Sequence, residues 1–121
     1  MGLFDMFKKK TLIEKMESYA ETGSIGKLEA AADESKSKET RIAALDATRL
    51  IKVRRGVELL MNALRDSDPD IRRIATKSLL MNATKDTTDR LLNYSEQEED
   101  AEIAAMMREA AIAAKERTPR I

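Results

Sequence analysis

Three groups of side chains in this chain have the types and spacing to do chemistry. A basic stretch, Arg49, Lys52, Arg54 and Arg55, continued by Arg65, Arg72, Arg73 and Lys77, carries the charge needed to meet phosphate. An acidic run, Glu96, Glu98, Glu99, Asp100 and Glu102, carries oxygens that suit Ca²⁺ or Mg²⁺. Near the N-terminus, Leu3, Phe4 and Phe7 precede Lys8, Lys9 and Lys10. Such aromatics can enter a lipid headgroup layer while each lysine meets anionic lipid, worth roughly 1 kcal/mol apiece. The chain has no histidine and no cysteine. That removes the usual zinc sites, histidine-based acid–base and triad chemistry, thiol nucleophiles and disulfides.

Each group has a plainer reading. The acidic run lacks the EF-hand spacing and its central glycine, and it stands where a helix is expected to start, a place that favours acids. It reads as a solvated helix start, so no metal or cofactor is expected. Lys+Arg and Asp+Glu both number 22, so no global field draws the chain to nucleic acid. There is no tryptophan, and Tyr19 and Tyr94 are distant in sequence from the basic stretch, so stacking and wedging lack their usual residues. Nucleic acid is therefore a poor expected partner. Phe4 and Phe7 have two alternatives to lipid: capping the end of the fold, or fraying. A myristoylation motif would want Ser or Thr where Met6 stands. Met16, Met61, Met81, Met106 and Met107 mostly fit core spacing and read as core filler. No constellation indicates an enzyme.

The elements that position these residues are helical. At 121 residues the chain is one small domain, and with 3% aromatics its core must be Leu, Ile, Ala and Met. No apolar run approaches the roughly 18 residues of a membrane span, and the short apolar start with lysines behind it is unlike a secretory signal. A cytoplasmic location is expected, at the inner membrane surface if residues 1–10 bind lipid. Thr11 to Glu14 fits a capping box, so a helix is expected from near Leu12, with Leu12, Ile13, Met16 and Ala20 inward and Gly23 as its stop. Between Asp66 and Asn82, Asp68 can cap a helix, Pro69 suits its first turn, and Asp70 adds charge near its positive end. Ile71, Ile74, Ala75, Ser78 and Leu79 then recur at helical spacing.

That unit repeats. Ile103, Met107 and Ala111 fall 32 residues beyond Ile71, Ala75 and Leu79, while Leu28, Arg41 and Ala44 fall 31 before Leu59, Arg72 and Ala75. A period near 31 with two helices per unit suggests a solenoid. The expected pairs are 24–34 with 39–52, 55–65 with 69–82, and 87–95 with 99–117. Residues 1–23 are then an N-terminal amphipathic segment and capping helix, and 24–121 the repeat domain. The pattern Asp-Pro-Asp-Ile-Arg-x-x-Ala-x-x-x-Leu from Asp68 resembles the second half of a HEAT repeat, especially the short bacterial kind also called phycobilin-lyase-like. The resemblance covers about 24–117. The first unit has Ser37-Lys38-Glu39 in place of Asp-Pro, and Ala104 replaces the matched arginine in the third.

The resemblance implies an all-α, right-handed superhelix of about three helix pairs behind an N-terminal helix. It also implies a non-catalytic interaction module or adaptor, with Arg41 and Arg72 pairing turn carboxylates such as Asp66, Asp68 and Asp70. In that family the second helix of each pair lines the concave face. With Ile71, Ile74, Ala75, Ser78 and Leu79 facing the core, Arg73, Thr76, Lys77 and Leu80 point away. The period maps these to Ile42, Leu45, Asp46 and Arg49, and to Ala105, Arg108, Glu109 and Ile112. An aliphatic stripe of Ile42, Leu45, Leu80 and Ile112, rimmed by Arg49, Arg73, Lys77 and Arg108, is therefore expected to take an amphipathic helix or peptide. Peripheral membrane or nucleic-acid binding through the basic residues is the alternative function. A homo-oligomer stays open, because three repeats leave apolar ends.

Overall fold

The computed structural model describes residues 2–119. Positions 1, 120 and 121, which the expected segments include, lie outside the described residues. Seven α-helices follow one another: α1 (Leu3–Glu21), α2 (Ile25–Ala31), α3 (Lys38–Ala47), α4 (Arg54–Ala63), α5 (Pro69–Asn82), α6 (Thr88–Gln97) and α7 (Ala101–Ala114). Short 3-10 turns extend α3 over Thr48–Leu50 and precede α6 over Lys85–Thr87. No strand occurs among the described residues.

The helix ends are written locally. Asp68 accepts from the Asp70 N–H, Pro69 opens α5, Ser37 accepts from the Thr40 N–H, and Asp100 from the Ile103 N–H. At the end of α1, the Gly23 N–H reaches the Ala20 carbonyl and the Ser24 N–H reaches Tyr19, at 3.1 and 2.8 Å. That double closure needs a left-handed residue, and Gly23 has φ 71°.

The start of α1 differs from the expectation of a new helix near Leu12. The helix is continuous from Leu3, and the Thr11 hydroxyl donates back to the Phe7 carbonyl at 3.0 Å instead of capping. Nothing between Leu3 and Thr11 breaks a helix, so the box sequence sits inside one.

The helices form two layers. In one, α1, α3, α5 and α7 pack in succession; in the other, α2, α4 and α6 pack behind them. Leu28, Leu45, Leu60, Ile71, Leu79, Leu91, Ile103 and Met107 fill the space between, all fully buried. Small residues at Ala44, Ala47, Ala75, Ser78, Ala110 and Ala111 let the first layer close up. The buried Ser78 hydroxyl donates to the Leu45 carbonyl at 2.8 Å, so α3 and α5 touch at backbone distance.

Three register expectations change here. Leu45, expected on the open stripe, is 1% exposed, and Thr76, expected to point outward, is fully buried; Ile74, expected in the core, is half-buried. A helix in the middle of a stack has neighbours on both flanks as well as behind it. A single inward face therefore understates what is covered. Leu45 and Thr76 occupy the same repeat position, on the flank towards the following helix. Arg108 holds that position on α7, which no helix follows among the described residues, and it is exposed.

Candidate binding surface

The outward face of α3, α5 and α7 carries three repeat-related rows. Ile42, Arg73 and Ala105 form one; Asp46, Lys77 and Glu109 form the next; Arg49, Leu80 and Ile112 form the third. Of the expected site residues, Lys77, Arg108 and Ile112 are exposed, and Ile42, Asp46, Arg49, Arg73 and Leu80 are half-buried. Leu45 drops out, so the aliphatic stripe has no member between Ile42 and Leu80. Its place is taken by residues that sequence reasoning left aside: Leu50 and Met81 are exposed beside the third row. Met81 was expected in the core. It sits past the buried arc of α5, and the neighbouring corner is drawn in by Lys52, whose ammonium donates to the Met81 carbonyl at 3.0 Å.

The charges on this face are mixed. Arg49 bonds Asp46 at 2.9 Å and reaches Glu17 of α1 at 3.5 Å, which carries the surface onto α1. No sequence signal pointed to Glu17, because the pair spans two helices that only the fold brings together. Arg73 bonds Asp70 at 3.1 Å and approaches Asp100 at 3.6 Å. Lys77 makes no ion pair among the described residues.

Other basic side chains in and beside the stretch are engaged within the fold, while Arg54 and Arg65 are exposed. The Arg41 Nε donates to the Ala32 carbonyl of its own turn, and its guanidinium pairs with Asp66 of the next turn. Arg72 repeats the arrangement, donating to the Asp66 carbonyl at 3.0 Å and pairing with Glu98 at 2.8 Å. Asp66 was foreseen as a partner; Glu98 was not. Lys38 bridges Asp68 and Asp70 at 3.0 and 2.7 Å. On the opposite layer, Arg55 pairs with Glu29 and Arg90 with Glu58. Of the basic stretch, Arg49, Arg55, Arg72 and Arg73 are thus bound to carboxylates of the fold. Glu98 and Asp100 of the acidic run are likewise engaged, and no group of three acids poised for a metal ion occurs among the described residues.

These contacts shift the titrating groups. Burial pushes Asp66 up, but hydrogen bonds from Arg41 and the Asp68 N–H outweigh it and hold the carboxyl below its ordinary range. The Asp70 N–H, then Lys38, hold Asp68 down, and Asp70, then Asp68, hold the Lys38 ammonium up. The Glu98 carboxylate raises Arg72 further.

Helix pairs in two layers, joined repeat to repeat by an arginine at a fixed position, match a known family pattern. A family model of HEAT repeats matches residues 25–114. The chain belongs to the HEAT-repeat family. No curated protein and no solved structure matches it. The Arg41 and Arg72 contacts are thus the stitches of a HEAT array, and Ala104 stands at the matching position of the third unit.

The N-terminal site residues lie elsewhere. Leu3, Phe4 and Phe7 are 85%, 68% and 67% exposed on the first half of α1, and Lys8, Lys9 and Lys10 follow them, all exposed. Only the second half of α1 enters the core, through Met16 and Ala20 with Leu12 and Tyr19 packed beside them. The aromatic pair does not cap the array.

Proposed function

We infer that this HEAT-repeat chain is a non-catalytic protein-interaction module whose partner lies across the outward face of α3, α5 and α7. The observation that carries this reading is the contrast between the two layers. The α2–α4–α6 surface is stitched by arginine–glutamate pairs between neighbouring helices. The α3–α5–α7 face also carries the Arg49–Glu17 and Arg73–Asp100 pairs, but it leaves Lys77 without an ion pair among the described residues, Ile112 65% exposed, and Met81 exposed beside the row of Ile112. Apolar side chains in a charged rim suit an amphipathic helix or peptide carrying acids. The lack of histidine and cysteine, and a site face without a constellation of nucleophile and base, favour binding over catalysis.

Affinity capture from the native cell, compared between the unmodified chain and Lys77→Glu with Ile112→Glu, tests the reading. Both positions are exposed, so the melting temperature should hold while captured partners are lost. An unchanged set of partners overturns this face as the site.

A further inference from the structure

The first half of α1 is apolar on the side that the protein does not use. At about 100° per residue, Leu12, Met16, Tyr19 and Ala20 share one face, the one that packs on the core. Leu3, Phe4, Met6 and Phe7 share the opposite one. Summed over the whole helix the two faces cancel, which hides the amphipathic character of each half. The tip's apolar residues are all exposed and cannot fold back on the array without breaking α1.

The charge along α1 changes in three steps. The apolar tip comes first. Lys8, Lys9 and Lys10 then occupy successive positions around one turn and girdle the helix. The Lys8 ammonium sits over the Phe4 ring, 4.9 Å from its centre, so cation and aromatic are presented together. Beyond them the same outward side turns acidic with Glu14, Glu17 and Glu21.

We propose that the tip of α1 docks on an anionic lipid bilayer, with Leu3, Phe4, Met6 and Phe7 entering the headgroup layer and the lysine girdle resting on lipid phosphates. The acidic residues rule out α1 lying flat, because Glu14, Glu17 and Glu21 would face the anionic surface. The helix therefore enters obliquely, and the array hangs on its far side. A second copy of the chain is the poorer occupant. Two such short tips cannot approach the roughly 1,200–2,000 Å² of a stable interface, and pairing them would crowd two lysine triads. The lipid contacts of the proposal use none of the residues assigned to the protein-binding face.

The test is co-sedimentation of the full chain with vesicles of phosphatidylcholine alone or mixed with phosphatidylglycerol, at low salt. Binding is expected only to the mixed vesicles. Lys8→Gln, Lys9→Gln and Lys10→Gln should each weaken it roughly fivefold. Phe4→Ser with Phe7→Ser should abolish it at unchanged melting temperature. Three outcomes overturn the proposal: no binding to mixed vesicles, equal binding to both kinds, or full binding by the serine variant. A dimer in sedimentation velocity that only the serine variant dissolves, without vesicle binding, assigns the tip to a second copy instead.

Discussion

Arg72 of α5 and Glu98 at the end of α6 are joined by two parallel hydrogen bonds, Nε to Oε2 at 2.8 Å and Nη2 to Oε1 at 3.0 Å. The Glu98 side chain is 4% exposed, so this stitch lies inside the fold. Arg72→Ala would leave a buried carboxylate with the Asp100 N–H at 3.1 Å as its remaining hydrogen bond. A loss of about 3 kcal/mol is expected from breaking such a pair. Glu98→Gln keeps the shape and removes the charge, and should cost less. Urea denaturation of both variants checks this; equal midpoints would mean that the charge pairing is not what holds the turn.

Below about pH 9, stability should depend on pH only at the acid end, because the raised Lys38 ammonium loses its contribution only at higher pH. Asp33, Asp66 and Asp68 are all held below the ordinary carboxylate value, Asp33 chiefly by the Ser35 hydroxyl. A carboxyl depressed in the folded state contributes stability that is full above its unfolded value and lost as pH falls through its folded one. With no histidine in the chain, melting temperature should be flat between about pH 5 and 8 and fall below about pH 4. Asp66→Asn should soften the acid limb. An acid limb identical to that of the unmodified chain would place the pH dependence elsewhere.

What could be read from the chain was mostly local. Asp68 with Pro69 and Gly23 marked real helix ends, because a cap or a left-handed stop involves neighbours within a turn. The 31–32 residue period placed every helix pair, and the resemblance to HEAT repeats implied the pairing of Arg41 with Asp66. The failures were lateral. Leu45 and Thr76 carry no label saying that a neighbouring helix covers them, while Arg108 in the same register is exposed. The apolar tip of α1 was visible as composition. Its direction, opposite to Met16, emerged only once α1 proved continuous.

Gly56 holds a close approach that an alanine would spoil. A Cβ there would stand 2.8 Å from the Ile51 Cγ2 and 3.4 Å from the Thr48 Cγ2. The Ile51 methyl is fixed to its own Cβ and buried, so it cannot swing aside alone. Alanine would gain up to about 1 kcal/mol in helix propensity, but overpacking typically costs 1–3 kcal/mol. A net loss of about 1 kcal/mol is expected for Gly56→Ala. The penalty should shrink when Ile51→Ala is made in the same chain. Thermal melts of the four proteins measure this coupling, and strict additivity would refute the contact.

Asn82, in the last turn of α5, closes the end of the helix before it in the stack. Its Nδ2 donates to the Thr48 carbonyl at 3.0 Å and the Ile51 carbonyl at 3.4 Å, and the side chain is buried. The Thr48 carbonyl also accepts from the Ile51 N–H at 3.1 Å, whereas the Ile51 carbonyl, past the last turn, takes its hydrogen bond from the next repeat. Arg117 serves α5 in the same way, donating to the Leu80 and Ala83 carbonyls at 2.6 and 3.1 Å. Asn82→Ala should cost about 1–3 kcal/mol by stranding the Ile51 carbonyl and removing one of two hydrogen bonds at the Thr48 carbonyl. Asn82→Asp is nearly isosteric yet should cost more at pH 7, because it turns a donor towards two acceptors and buries a charge. Its folded-state pKa would be raised, so part of the loss should return as pH falls and the carboxyl gains a proton to donate. Urea denaturation at about pH 4.5 and 7 separates the two variants. An aspartate milder than alanine at pH 7 would show that donation by the Asn82 amide is not what secures the end of α3.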